Sequence, residues 1–254
     1  MVIKSYKKFD KYSGKRYMEA YIKKFSNFYS AIKKSMKSYL IKKDDLIGLD
    51  IGAGPGIGAL LLDQANIKCI LYGLEPSKTH GEGKRFANEL KGKKSSVIYE
   101  PRKGVIQDLE EKLKIGKESL DFVLILRAIH ELRESVGGKL KLKSELKRVT
   151  RLLKKGGILI VADPQYNEKI NKNPLKYREI IDAVKILQKE IIGHSHEPGN
   201  YIPSKELKHY FPEYKELKEY KIDNKNFNSK IQKSFGKKIN IKPKEFYVVV
   251  FKKR

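Results

Sequence analysis

The stretch Asp50-Ile51-Gly52-Ala53-Gly54-Pro55-Gly56-Ile57-Gly58 packs four glycines behind one carboxylate. Glycines at a strand end let the backbone turn tightly and let a ligand approach where a Cβ would block it. The first amides of the helix that follows lack partners within that helix and favour an anion. A dinucleotide fingerprint can be laid on Gly54, Gly56 and Ala59, but it begins well past the strand end. The frame acidic-x-Gly-x-Gly-x-Gly instead takes Asp50, Gly52, Gly54 and Gly56. Its carboxylate closes the strand itself, which suits a ligand with a cationic amino-acid end. A second carboxylate, Glu75, precedes Pro76 at the end of the next apolar run, where it can accept hydrogen bonds from both ribose hydroxyls of an adenosine. The bland alternative is a glycine-rich turn that binds nothing.

Three histidines, His130, His194 and His196, are the candidate proton acceptors. Two of them share the segment Gly193-His194-Ser195-His196-Glu197-Pro198-Gly199. That spacing invites a metal, but a site needs three or four ligands in workable geometry, so no metal is assigned.

Such residues need a scaffold to hold them, and the chain alternates accordingly. Residues 15 to 41 carry Met18, Tyr21, Phe25, Phe28, Ile32 and Met36 at helical steps, with lysines between them, which predicts one amphipathic helix. It is either a helix packed on a sheet or a lid whose aromatic residues face a ligand. Apolar strands follow at Leu46 to Ile51, Lys68 to Leu74, Ser96 to Tyr99, Asp121 to Leu126 and Gly157 to Ala162. Helical segments separate them at Ile57 to Gln64, Gly83 to Leu90, Asp108 to Leu113 and Leu140 to Leu153. Strands this uniformly apolar, joined through helices, predict a doubly wound α/β layer with a parallel sheet buried on both faces. Helices are expected at Tyr177 to Ile192 and at Pro203 to Tyr210, the latter capped by Ser204. Two last strands, near Tyr214 to Ile222 and Glu245 to Phe251, should pair antiparallel at the sheet edge, with Asp223 to Lys242 as a mobile loop between them.

Composition narrows the classes. The 254 residues include 56 Lys or Arg against 30 Asp or Glu, a net charge of +26. Nucleic acid is the first thought, but lysines outnumber arginines, the better bidentate phosphate ligands, by 47 to 9. Residues 1 to 43 hold +11 and residues 203 to 254 hold +9, leaving +6 for everything between. The charge belongs to the ends. A lone cysteine, Cys69, excludes a disulfide framework and a Cys-rich zinc site. The absence of a long apolar run argues against a membrane partner, and the absence of a signal-like start argues for a cytoplasmic protein.

Taken together, these motifs resemble the class I S-adenosylmethionine-dependent methyltransferases. The resemblance rests on the glycine loop from Asp50 to Gly56, on Glu75, and on Ser119-Leu120-Asp121-Phe122 opening the fourth strand. Ala128-Ile129-His130-Glu131-Leu132, Leu152-Leu153-Lys154-Lys155-Gly156-Gly157, Tyr201 to Leu207 and the final Tyr-Val-Val-Val-Phe-Lys-Lys complete it. It implies a mostly parallel seven-stranded sheet with an antiparallel last strand, preceded by N-terminal helices. It also implies S-adenosyl-L-methionine as cofactor. Residues 1–254 then read as one methyltransferase domain: a basic helical cap (1–43), a cofactor-binding core (44–162), and an acceptor-side segment with the C-terminal strands (163–254). Carried over by position, Gly52, Ala53, Gly54 and Gly56 would cradle the methionine part, with Asp50 behind them, and Glu75 and Pro76 would meet the ribose. Gly104 and Val105, in the loop after the third strand, would flank the adenine. The segment Glu100 to Val105 departs from the family's usual Gly-Asp pair, so Asp108 is either the displaced equivalent or a helix-start residue. Arg127 and Ala128 would sit beside the cofactor and face the acceptor, and His130, His194 and His196 would serve the acceptor as base or binding groups.

Asp163-Pro164-Gln165-Tyr166 superficially resembles the motif of methyltransferases that modify base amino groups, but it follows the fifth strand and not the fourth. The leading expectation is transfer to a small-molecule acceptor, and an anionic one fits the placement of the charge at the chain ends. An RNA methyltransferase gripping phosphates with its basic ends, and a non-catalytic cofactor-binding subunit, are the alternatives.

Overall fold

The computed structural model describes residues 15–41, 44–135, 137–192, 196, 198–223, 225–235 and 242–254. In chain order the elements are α1 (Lys15–Lys24), α2 (Ser26–Leu40), β1 (Leu46–Ile51), α3 (Ile57–Gln64), β2 (Cys69–Glu75), α4 (His80–Gly92), β3 (Val97–Lys103) and α5 (Leu109–Leu113). They continue with β4 (Leu120–Leu126), α6 (Ile129–Ser135), α7 (Lys139–Leu152), β5 (Leu153–Tyr166), α8 (Glu168–Lys172) and α9 (Arg178–Ile192). α10 (Leu207–Tyr210), β6 (Tyr214–Asp223), α11 (Lys225–Phe235) and β7 (Lys244–Lys253) complete the chain. Among the described residues, no helix is long and apolar enough to cross a membrane.

The sheet has seven strands in the order β3-β2-β1-β4-β5-β7-β6. The first five in that order run parallel, and β7 is antiparallel to both β5 and β6. Alternation along each strand explains why both faces are buried. Phe122, Leu124 and Leu126 of β4, Ile160 and Ala162 of β5, and Val248 and Val250 of β7 join one core with α2 and α3. Val123, Ile125, Leu159, Val161, Tyr247 and Val249 point the other way, into a core with α7. A third, smaller cluster (Tyr166, Ile170, Ile180, Ile181, Val184, Tyr201 and Ile231) caps the C-terminal end of β5 with α8, α9 and α11.

Several boundaries differ from the sequence expectation. The helix expected over 15 to 41 is two helices, because Phe25 leaves helical geometry (φ −117°, ψ 40°) and packs its ring edge-on against Phe246, 5.6 Å away. The third strand runs on through Glu100 to Lys103, which had read as loop. Pro101 is tolerated there because β3 is an edge strand and a proline costs an edge no ladder bond. β5 begins at Leu153 and continues through Tyr166, so that Asp163 to Tyr166 are paired with Lys244 to Tyr247 and are not a free loop. Ser204 does not cap its helix; its hydroxyl bonds the Glu219 carboxylate. The polar excursion from Asp223 to Lys242 contains α11, whose Asn228 and Ile231 are buried three residues apart on one face.

A glycine in β1 makes this sheet possible. A Cβ at Gly48 would lie 2.1 Å from the Phe122 ring, so the phenyl group fills the place of the missing side chain. Gly48→Ala should therefore lower stability by about 1–3 kcal/mol through overpacking. Gly92→Ala, where a Cβ meets nothing within 4 Å, should be neutral or slightly stabilising. Urea unfolding of the two variants checks the pair.

Candidate active site

The glycine loop leaves β1 and is tied to β2 by backbone bonds from Gly52 and Ala53 amides to the Leu74 carbonyl, at 2.9 and 3.2 Å. Gly54 has φ +54°, and a Cβ placed on it would meet nothing within 4 Å, so the loop bares its backbone to open space there. Gly58 answers a different need. A Cβ there would fall 2.2 Å from Asp50 Oδ2, and its absence lets the carboxylate reach the first turn of α3. Gly52 faces Ala128 in the same way.

Glu75 ends β2 and is buried. Its Oε2 accepts from the Gly54 amide and its Oε1 from the Ser77 amide, both at 2.8 Å. A carboxylate has about four acceptor positions, so these two bonds fix its orientation and leave capacity for a diol. Asp50 is 1% exposed, and its Oδ1 has no hydrogen-bond partner. Burial above all, and then the Glu75 charge, push its pKa up to about 8 against the Gly58 backbone bond. Beyond β3, Asp108 Oδ2 accepts from the Val105 amide at 3.2 Å and caps a short turn beside Gly104, so its visible contact is that of a helix-start residue.

The opposite wall is built from β4, β5, β7 and the segment before α10. Arg127, just after β4, has φ +59°. Its guanidinium lies 4.8 Å from the Tyr21 ring centre and 5.6 Å from that of Phe25, so α1 and the Phe25 break lie over it. The aromatic stripe of the N-terminal helices thus divides: Phe28, Ile32 and Met36 pack in the core, while Tyr21 and Phe25 meet Arg127. His130, buried in the first turn of α6, places Nδ1 2.8 and 2.9 Å from the two oxygens of Asp163, which is fully buried in β5. The ring stacks on Tyr201 (5.1 Å, 19°) and meets His196 edge-on (4.6 Å, 82°). His196 Nδ1 lies 2.9 Å from Glu134 Oε2, which also accepts from Asn200. Glu131 follows His130, and protein packed around its carboxyl raises its pKa, although 59% of the side chain stays open to solvent.

Lys244 opens β7 and is 3% exposed. Its Nζ has no hydrogen-bond partner and sits 3.3 Å from the Tyr201 ring centre and 4.3 Å from that of Tyr166. The Asn228 amide clamps the Lys244 backbone from both sides, donating to its carbonyl (2.8 Å) and accepting from its N–H (3.0 Å). Burial drives the Lys244 pKa well down, opposed by Asp163 and reinforced by Arg127. Burial likewise drives Asp163 well up, against the pull of Arg127 and Lys244.

Asp50, Gly54 and Glu75 are thus gathered at one sheet edge, with Arg127, His130 and His196 beside them. His194 lies outside the described residues. The sequence pointed to Asp163 only through an unrelated motif, and it missed Lys244 and Asn228. The only trace of Lys244 is a lysine after Pro243 at the head of an apolar strand, where burial cannot be read locally.

A family model described as a methyltransferase domain matches residues 49–161, from the glycine loop through the fifth strand. Residues 49–161 thus carry a methyltransferase domain. Among solved structures, geranyl diphosphate C-methyltransferase from Streptomyces coelicolor, in complex with Mg2+, geranyl diphosphate and S-adenosyl-L-homocysteine, is 14% identical with a TM-score of 0.62. That match covers 94% of this chain and 84% of the other. YcgJ from Bacillus subtilis is 16% identical, with TM-score 0.57 over 90% of this chain and 99% of its own. The [4+2]-cyclase SpnF is 13% identical, with TM-score 0.58 over 88% and 80%. At such identities the likeness is one of fold. No curated protein sequence matches.

The residues present fit S-adenosylmethionine, the cofactor that the sequence resemblance implies. The orphaned Asp50 oxygen lacks a donor that the ammonium of the methionine part would supply, Gly54 opens a cradle, and Glu75 keeps acceptor capacity for the ribose. Because the folded pKa of Asp50 is raised from 3.8 to about 8, its contribution to stability is present below about pH 4 and is lost as pH rises towards 8. Without cofactor, Asp50→Asn should therefore gain on the wild type between about pH 5 and about pH 9. Urea denaturation at both values tests this, and parallel behaviour would show an ordinary Asp50.

Proposed function

We propose that this methyltransferase modifies a small anionic molecule held on the side of the glycine loop lined by Arg127 and Lys244. The observation that carries the reading is the buried Lys244 amine, which has aromatic faces around it and, among the described residues, no hydrogen-bond partner on Nζ. Burial disfavours its charge unless a partner is present, and a carboxylate or phosphate on the acceptor would supply that partner and hold the amine protonated. A polymer has no route to a residue this enclosed, which favours a small molecule over RNA.

S-adenosylmethionine, when bound, supplies an activated methyl group on a sulfonium. The chain's own residues do the rest. Asp50, Gly54 and Glu75 fix the cofactor, and Arg127 and Lys244 anchor the acceptor's negative group. Tyr21 and Phe25 cover Arg127 and exclude water, which strengthens the electrostatics beneath them. Asp163 meets His130 at Nδ1 and Glu134 meets His196 at Nδ1, and where the carboxylate accepts, a neutral ring would carry its lone pair on Nε2. The acceptor's reacting atom would meet these two imidazoles. Alignment of acceptor and methyl donor is worth more here than any single group.

Incubating enzyme and methyl-labelled cofactor with a cell extract, then separating metabolites, RNA and protein, is the direct test. Label is expected in small molecules retained by an anion exchanger, and label in RNA would overturn the reading. Lys244→Met should raise the acceptor KM about tenfold to a hundredfold, the loss of one charge-assisted hydrogen bond, with cofactor affinity unchanged. Glu75→Ala should abolish labelling.

A further inference from the structure

We propose that His130, His196 and Glu131 form a binding site for a divalent transition-metal ion of the zinc class. The inference deepens the preceding reading, since it rests on the acceptor lying beside these imidazoles, and it gives them the role of ligands in place of proton acceptors.

One ligand atom from each of the three residues lies within 4.8 Å of the other two. His130 Nε2 lies 3.9 Å from Glu131 Oε1. Ligands each about 2.1 Å from an ion in tetrahedral geometry are about 3.4 Å apart. The set therefore closes with side-chain adjustments of about 1 Å, well within the rotamer freedom of Glu131.

Orientation is the stronger argument. Imidazoles that bind metals nearly always turn their second ring nitrogen to a carboxylate or carbonyl, which fixes the tautomer and raises basicity. Here this happens twice in neighbouring rings. Asp163 holds His130 Nδ1 at 2.8 Å, and Glu134 holds His196 Nδ1 at 2.9 Å. Both rings are buried and are fixed further: His130 stacks on Tyr201, and Asn200 donates to the same Glu134 oxygen that His196 meets. Such double support exceeds what packing of a histidine requires.

Two imidazoles and one carboxylate are a donor set that leaves coordination positions open. An ion there would bind an anionic oxygen of the acceptor directly, as a Lewis acid that keeps it deprotonated for attack on the methyl group. No redox change is involved: the acceptor hydroxyl gives its proton to solvent, its oxygen forms the bond to the methyl carbon as the methyl–sulfur bond breaks, and the electron pair of that bond stays on sulfur, which leaves as a neutral thioether.

The test is a titration of chelator-stripped full-length protein with Co2+, without cofactor or acceptor, read by visible d–d absorption and displaced by Zn2+. One equivalent should bind at micromolar concentration or tighter. His196→Ala and Glu131→Gln should each weaken binding at least tenfold. Glu134→Gln, which keeps all three ligands, should weaken it about tenfold to a hundredfold. Thermal melts identify any variant that fails to fold, and Glu131→Gln, at an open position, keeps the test valid if a histidine variant does. Absence of a cobalt spectrum, or equal affinity in wild type and all three variants, would overturn the site. Anionic metabolites labelled by metal-free enzyme that binds no cobalt would remove the ion and leave the acceptor assignment standing. Label in RNA would remove the acceptor assignment even with cobalt bound.

Discussion

Asp163 is completely buried near the end of β5, and a carboxylate in that position must be hydrogen-bonded or give up its charge. The bond to His130 meets that demand, and much of the acceptor side follows from it. It ties α6 to the sheet, fixes one imidazole tautomer, and presents a flat ring on which Tyr201 stacks. Tyr201 is in turn held at its hydroxyl by Gln188 of α9 and at its face by Lys244. Five separate segments of chain are locked to one another through one buried acid.

The cofactor side is organised by a second carboxylate, but with the opposite economy. Glu75 spends its hydrogen bonds on backbone amides of the loop it serves, so the loop is shaped before any ligand arrives. Asp50 does the reverse. It is buried with an oxygen that has no hydrogen-bond partner among the described residues and with a raised pKa, a local cost that protonation or a cationic ligand relieves. Fixed geometry beside an unmet electrostatic need is what preorganised binding requires.

The same contrast bears on the net charge. Most of the excess lysines are surface residues, and their ion pairs, such as Lys68 with Asp45 or Lys172 with Glu168, are solvent-exposed and contribute little to stability. Two basic side chains differ from all of these, because aromatic rings cover them. Arg127 is covered by Tyr21 and Phe25, and Lys244 by Tyr166 and Tyr201. A cation over an aromatic face in a desolvated setting is worth about 2 kcal/mol or more, and its field on a neighbouring anion is little screened.

What the sequence determined by itself is local and periodic. Runs such as Leu46 to Ile51 and Ile57 to Gln64 carry their element type in the spacing of apolar side chains, and the structure keeps those boundaries. The glycine loop and Glu75 were equally legible, because backbone freedom at a strand end and an acid at the next strand end are sequence-local signals. Where residues leave that grammar, sequence reading failed. Asp223 to Lys242 looks like loop because α11 is polar, and its helix is held by tertiary contacts such as the Asn228 clamp on Lys244. Pairings between residues 33 apart, as in His130 with Asp163, or 62 apart, as in His196 with Glu134, leave no trace in spacing. Only the register of β4 against β5 and the fold of the acceptor-side segment bring them together. Burial decided their chemistry, since desolvation depends on what surrounds a group in space and not on its neighbours along the chain.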